Sequence, residues 1–397
     1  MSSRVNLLAP EVRANPYPVF AELRRNAPVS QVDPGGLWAV TRYADAAAVL
    51  KNPQLFASEG FRQAYRPAWF SDYPMADSML VMDPPHHTRL RAIVNRAFGP
   101  PVLSRLEPRI RQFVEQLAAG LPTGRSVDFA EEWSVRIPLA VMADLLGLSP
   151  EVHPRLKRWA ESFGTFTGIG PNDTERQEHM LATVAEARQH FQQVLEERRR
   201  EPRDDLMSDL LRARVDGEAL TDAELMGFMF LLVVAGMETT VHLMNHSAIR
   251  FRDEPELMGR LRADRSLIPR FVEEILRYEP PVHGIFRVTT QETELGGVRL
   301  PRGARMLVVL CSANRDEAQF PGADRFDLER GGPQNLPFGH GIHFCLGAQL
   351  ARLEARLGTE ALVTRFSRLS PGDGPVRWNS SLVVRGPLSL PLVAHLA

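Results

Sequence analysis

Cys345 stands in the run Phe338-Gly339-His340-Gly341-Ile342-His343-Phe344-Cys345-Leu346-Gly347. It lies between a glycine-punctuated loop and a segment with apolar residues at Leu346, Leu350, Leu353 and Leu357, the spacing of a helix. A cysteine entering a helix N-terminus meets the positive end of the helix dipole, which favours thiolate over thiol. Gly341 and Gly347 omit side chains on either side of it, so a flat, bulky group can approach the backbone. The chemistry open to this arrangement is ligation of a large cofactor by a thiolate. A buried, inert cysteine beside a turn is the alternative.

A second constellation is Ala235-Gly236-Met237-Glu238-Thr239-Thr240, inside a long helix opened by Thr221-Asp222-Ala223-Glu224, a capping-box sequence. A glutamate inside a core helix is costly unless paired, hydrogen-bonded or solvated. Thr239 can bond back to the Ala235 carbonyl and loosen the helix, and Gly236 removes bulk from the same turn. Together they make a polar notch wide enough for a small ligand such as O2, unless the threonines are merely tolerated and Glu238 is exposed.

The elements that must position these groups are mostly helical. The opening third mixes helices with a small sheet: Ala21–Arg25 ends a helix, Val29–Val32 and Leu37–Thr41 are strands around Pro34-Gly35-Gly36, and Ala44–Lys51 is helical. Ser58–Met79 has no clear period and carries Phe61, Tyr65, Trp69, Phe70 and Tyr73, so it is either a functional loop or a packed one. Asp83–Leu276 reads as helices, with Asp83-Pro84-Pro85 as a cap. After Pro280 the chain turns toward strands at Arg287–Thr290, Val298–Leu300 and Met306–Cys311, which makes Cys311 a strand cysteine of the core. A last helix follows Cys345, and Val376–His395 looks like strands.

Composition excludes several classes. The chain has 397 residues, 44% hydrophobic, with a net charge of -1, which argues against a nucleic-acid binder. Only two cysteines leave no disulfide framework and no Cys-x-x-Cys pair. Met1–Pro16 holds no apolar segment of anchor or signal length, and the longest apolar run, Phe228–Ala235, is short of a membrane span. The reading is a cytoplasmic protein without a membrane anchor.

The spacing Phe-x-x-Gly-x-x-x-Cys-x-Gly, met by Phe338, Gly341, Cys345 and Gly347, resembles the haem-binding loop of the cytochrome P450 family of haem-thiolate monooxygenases. The resemblance implies a mainly α fold with a smaller β-rich part, one domain over residues 1–397, and a long central helix over the haem. It implies haem b as cofactor and Cys345 as the iron ligand, whose electron donation favours O–O cleavage. Ala235-Gly236-Met237-Glu238-Thr239 resembles the family's oxygen-activation motif, making Thr239 the residue that holds oxygen and water and Glu238 the proton relay.

By the same resemblance His87, Arg91, Arg287 and His343 bind the haem propionates. Glu274 and Arg277 match the family's Glu-x-x-Arg, with Arg325 as third member of a buried triad. No Gly-x-Gly-x-x-Gly fingerprint is present, so electrons must come from separate proteins, a ferredoxin and ferredoxin reductase in the family's bacterial members. Arg89, Arg96 and Arg105 either meet such an acidic partner or are solvated.

The reaction implied is insertion of one atom of O2 into a lipophilic small molecule, by hydroxylation or epoxidation. Phe61, Trp69, Phe166, Val234, Ile285 and Leu382 supply the apolar contacts, and Arg62, Arg66 or His283 either anchor a carboxylate or are solvated. Two other readings, a haem-based gas sensor and a helical binding module without haem, leave the Glu238-Thr239 pair or the cysteine loop unexplained.

Overall fold

The computed structural model describes residues 4–331 and 334–397. The first three residues of the N-terminal segment and Gly332-Pro333 lie outside the described residues.

The helix Asp222–Asp253 organises the α-rich body. Its capping box forms as the sequence predicts: Glu224 N–H donates to Thr221 Oγ1 at 3.3 Å, and Thr221 N–H donates to Glu224 Oε2 at 2.8 Å. It is apolar nearly all round, because helices Arg136–Leu145, His153–Gly164, Ile268–Tyr278 and Ala348–Arg365 pack on it. Length and composition alone would let it cross a membrane, yet most of its apolar window is covered by these neighbours. Ala348–Arg365, which follows Cys345, also packs on Pro100–Gly120 and Ile268–Tyr278.

The β-rich part centres on a five-stranded sheet ordered Val29–Val32, Leu37–Val40, Arg305–Val308, Ile285–Thr289, Phe56–Ala57. Leu37–Val40 and Arg305–Val308 run parallel, with Trp38 opposite Met306; the other pairs are antiparallel, with Arg287 opposite Met306. A three-stranded sheet joins Ser126–Asp128, Pro391–Leu396 and Phe366–Pro371.

Cys311 is not in a strand. Arg305–Val308 ends after the Val309 N–H bonds the Val40 carbonyl, and the chain then closes a helical turn over Leu310–Ala313. Ser312 Oγ fixes that turn by donating to the Thr41 carbonyl at 2.9 Å. A short apolar run reads alike as strand or buried turn, and Cys311 is fully buried either way. Asp83 does not cap the helix His86–Ala97 either. Its carboxylate accepts the Ser58 and Glu59 N–H groups at 3.1 and 2.9 Å, so it pins the aromatic loop instead.

Candidate haem-thiolate site

Cys345 is fastened by its backbone, its N–H donating to the Phe338 carbonyl at 3.0 Å. Phe338 in turn lies under the Arg352 guanidinium, 4.6 Å from the ring centre. Gly341 has φ +72°, and a Cβ there would collide with the Leu50 carbonyl oxygen, so the loop is seated against helix Tyr43–Lys51. Gly341 is therefore a packing requirement rather than room for a ligand. Gly347 is the position that faces open space.

Burial is the largest influence on the Cys345 thiol and pushes its pKa up; the Gly347 N–H, Arg91 and Arg352 pull it down without overcoming burial. The helix terminus expected to favour the thiolate therefore does not outweigh burial.

The structure gathers His87, Arg91, Arg287 and His343 into one cluster. The His87 and His343 rings lie 4.2 Å apart. His87 has both ring nitrogens buried without a partner among the described residues. Burial, then the neighbouring His343 and Arg91, push its pKa down to about 4. Burial likewise lowers Arg91, and takes Arg287 down to about 10. His343 Nε2 lies 3.1 Å from Ser58 Oγ and 3.9 Å from Asp83 Oδ1. Burial raises Asp83, but the His343 hydrogen bond and the two loop N–H groups outweigh it and hold the carboxyl below its ordinary range. Two arginines and two histidines facing one carboxylate fit an anionic ligand, and the unpartnered His87 nitrogens fit its oxygens. The sequence reading missed Asp83 and Ser58, because Asp83 before two prolines resembles a cap.

On the long helix, Thr239 Oγ1 donates to the Ala235 carbonyl at 2.8 Å, the back-bond its position predicts. Glu238 is partly exposed, with Oε1 3.7 Å from His242 Nε2. This helix, Ala348–Arg365 and Ile268–Tyr278 pack on one another.

Other expectations change. The second arginine on Glu274 is Arg330, whose Nε donates to Oε1 at 3.1 Å. Arg325 contributes only its carbonyl, which accepts from Arg277 and Arg330. Arg89 pairs with Glu224 and Glu218, Arg105 with Asp204 and Asp209, and Arg96 donates to the Arg214 carbonyl. These three are occupied within the fold. Arg62 and Arg66 both pair with Asp77, and His283 is buried beside Glu279, so none is a free carboxylate anchor. Among the aromatics, Phe61 stacks on Phe286 at 4.7 Å and Tyr73 on Phe166 at 3.9 Å.

Fold and site together define a haem-thiolate enzyme. The family model for cytochrome P450 matches residues 156–390. The chain is 36% identical over 386 residues to vitamin D(3) 25-hydroxylase of Pseudonocardia autotrophica, covering 95% of this chain and 93% of that one. The structure of cytochrome P450 CYP109Q5 from Chondromyces apiculatus superposes with a TM-score of 0.92 at 40% identity, covering 100% of both chains. CYP109E1 from Bacillus megaterium, in complex with corticosterone, gives 0.86 at 30% identity, covering 97% of this chain and 100% of the other. The chain belongs to the cytochrome P450 family. It is a haem-dependent monooxygenase, an oxidoreductase that uses O2.

Proposed function

We propose that residues 1–397 act as one catalytic unit in which Cys345 ligates the iron of haem b and Glu238 and Thr239 serve the oxygen side. The observation that carries this is His343, two residues before Cys345. Its ring lies 4.2 Å from that of His87, so the cysteine loop itself contributes to the cation cluster. A metallated, dicarboxylate tetrapyrrole has a metal for the thiol and carboxylates for the cluster.

His87, Arg91, Arg287 and His343 would hold the carboxylates, with Phe338, Gly341 and Gly347 shaping the loop and Ala235 the notch. When bound, haem supplies the one-electron and O2-activating chemistry. Thr239 Oγ1, held by the Ala235 carbonyl, places a hydroxyl where a water and a proton are needed. Glu238, partly exposed, holds a proton at its carboxylate and passes it toward Thr239.

The substrate is a lipophilic small molecule, hydroxylated or epoxidised. Support comes from the relative named vitamin D(3) 25-hydroxylase and from CYP109E1, solved in complex with corticosterone. Electrons would reach the site from a ferredoxin and its reductase, in the cytoplasm. The test is the spectrum of the reduced, carbon monoxide-bound protein, together with O2 consumption under a ferredoxin system. A thiolate-type spectrum with reductant-dependent O2 uptake is expected. A histidine-type spectrum would remove Cys345, and a thiolate spectrum without O2 uptake would leave a gas sensor. Shifts of the haem absorption band then rank candidate substrates.

A further inference from the structure

The five-stranded sheet packs differently on its two faces. On the face of Arg287, Met306, Val308 and Ile285 meet Leu50 and Leu336 beside the cysteine loop. Leu307 and Val309 point the other way, onto Leu7, Val12 and Phe20 of the N-terminal segment and onto Leu382. A cavity lies on this second face, against the helix Pro10–Ala14. Those apolar residues form its wall, and Arg13, His283, Ser381 and Arg385 are its polar groups. Among the described residues no carboxylate lines it. Its free space of about 30 Å³ admits about two water-sized groups.

The charges around it do not balance. Arg385 is buried and its Nη1 donates to Glu279 Oε1 at 2.9 Å. Arg315, stacked between the Tyr17 and Tyr278 rings, lies 3.6 Å from the other oxygen of the same carboxylate. His283 leans on Glu279 as well, at 3.7 Å. Asp324 is 3.8 Å from Arg315 but exposed. Half-buried Arg13 donates to the Ser381 and Asn379 carbonyls and has no carboxylate partner among the described residues. Burial, then the charge of Arg385, lower its pKa. Three guanidiniums thus share Glu279, and the one left over borders a cavity without an acid. A cation taken out of water in this way calls for a counter-ion.

Ser381 adds a donor. Its Oγ accepts the Val383 and Val384 N–H groups at 3.3 and 3.1 Å. Both lone pairs are therefore used, and the hydroxyl hydrogen has no acceptor among the described residues.

We propose that this cavity binds one small monovalent anion, of chloride or formate size, held by Arg13, Arg385 and the Ser381 hydroxyl. The free space excludes larger organic anions, and the apolar wall disfavours divalent ones, which cost more to desolvate. The anion would neutralise Arg13 and join the helix Pro10–Ala14 to the segment 379–385. The Val383 carbonyl of that segment accepts the His283 N–H at 2.7 Å, just ahead of the strand Ile285–Thr289 that carries Arg287. Occupancy therefore fastens the N-terminal helix to that strand from the face opposite Arg287.

The test is thermal denaturation of the haem-loaded protein at constant ionic strength, with chloride replacing gluconate. Chloride should raise the midpoint by roughly 1–3 °C and saturate; formate should do the same and sulfate should not. Val12→Leu adds a methylene to the wall, and Arg13→Gln removes the unpaired charge, so both variants should melt alike in chloride and gluconate. A wild-type midpoint indifferent to chloride, or a rise that persists in either variant, overturns the proposal. If a variant fails to fold, wild-type crystals grown in bromide decide. An anomalous peak between Arg13 and Ser381 is expected, and a cavity without bromide overturns the assignment.

Discussion

Arg330 donates from Nε to Glu274 Oε1 at 3.1 Å, and so closes an ion-pair cluster in which Arg277 holds the same carboxylate at 2.7 and 2.8 Å. The Asp327 N–H adds a fourth donor at 2.9 Å. Arg277 also reaches the Asn314 and Ala323 carbonyls, so the cluster ties the helix Ile268–Tyr278 to the segment that leads toward the cysteine loop.

The variants should rank accordingly. Glu274→Ala strands a buried Arg277 and should cost ~3–5 kcal/mol. Arg330→Ala removes the charged bond to Glu274, worth about 1.5–3 kcal/mol by itself, together with bonds to the Pro321, Gly322 and Arg325 carbonyls. Arg325→Ala should stay within ~0.5 kcal/mol, since only its backbone takes part. Urea denaturation of the three variants orders them; Arg325→Ala as damaging as Arg330→Ala would restore the side chain of Arg325 to the triad.

Gly341 and Gly347 should respond differently to alanine. At Gly341 the positive φ costs about 1–2 kcal/mol for an L-residue, and the added carbon meets backbone that cannot step aside. Gly341→Ala should therefore lower both stability and haem content. Gly347→Ala meets open space, so it should leave haem-free stability unchanged while weakening haem uptake. Thermal denaturation paired with haem titration separates the two, and equal behaviour would contradict the assignment of the open side of the loop to the haem.

Thr239→Ala should keep the helix intact, since among the described residues the lost hydroxyl bonds only to the Ala235 carbonyl. Reductant consumption should continue while product per reductant falls and hydrogen peroxide rises. Wild-type coupling in this variant would end the role given to Thr239. Glu238→Gln should slow turnover instead, because it removes the ionisable group.

The Thr239–Ala235 back-bond was legible from spacing within one helix, and the four cluster residues from the resemblance of three short segments to those of the family. Long-range pairing was less legible. Arg330 and Arg325 are alike in type and only five residues apart, and which side chain reaches Glu274 depends on how the turn 321–330 folds. Cys311 was placed in the core correctly but in the wrong element, since an apolar run does not distinguish strand from buried turn. Asp83 carried a strong local signal, a residue before prolines, that lost to two loop N–H groups about twenty-five residues away in sequence.

His87 makes the cation cluster testable through pH. Its pKa in the folded, haem-free protein is pushed down to about 4, against ~6.5 for an unfolded chain. Between those values the unfolded state binds the extra proton, so stability falls as pH drops from ~6.5 toward 4. His343 is lowered in the same direction, while Asp83 is lowered as a carboxylate and loses its contribution at more acid pH. The informative quantity is therefore the difference between wild type and His87→Gln. In haem-free protein that difference should change between about pH 7 and about pH 5, with the wild type losing more stability. With haem bound, carboxylates beside His87 favour its protonated form and the difference should shrink. Urea titrations of both proteins at both pH values, with and without haem, measure it. A pH-dependent difference that haem leaves unchanged would mean that no anionic group comes to rest against His87.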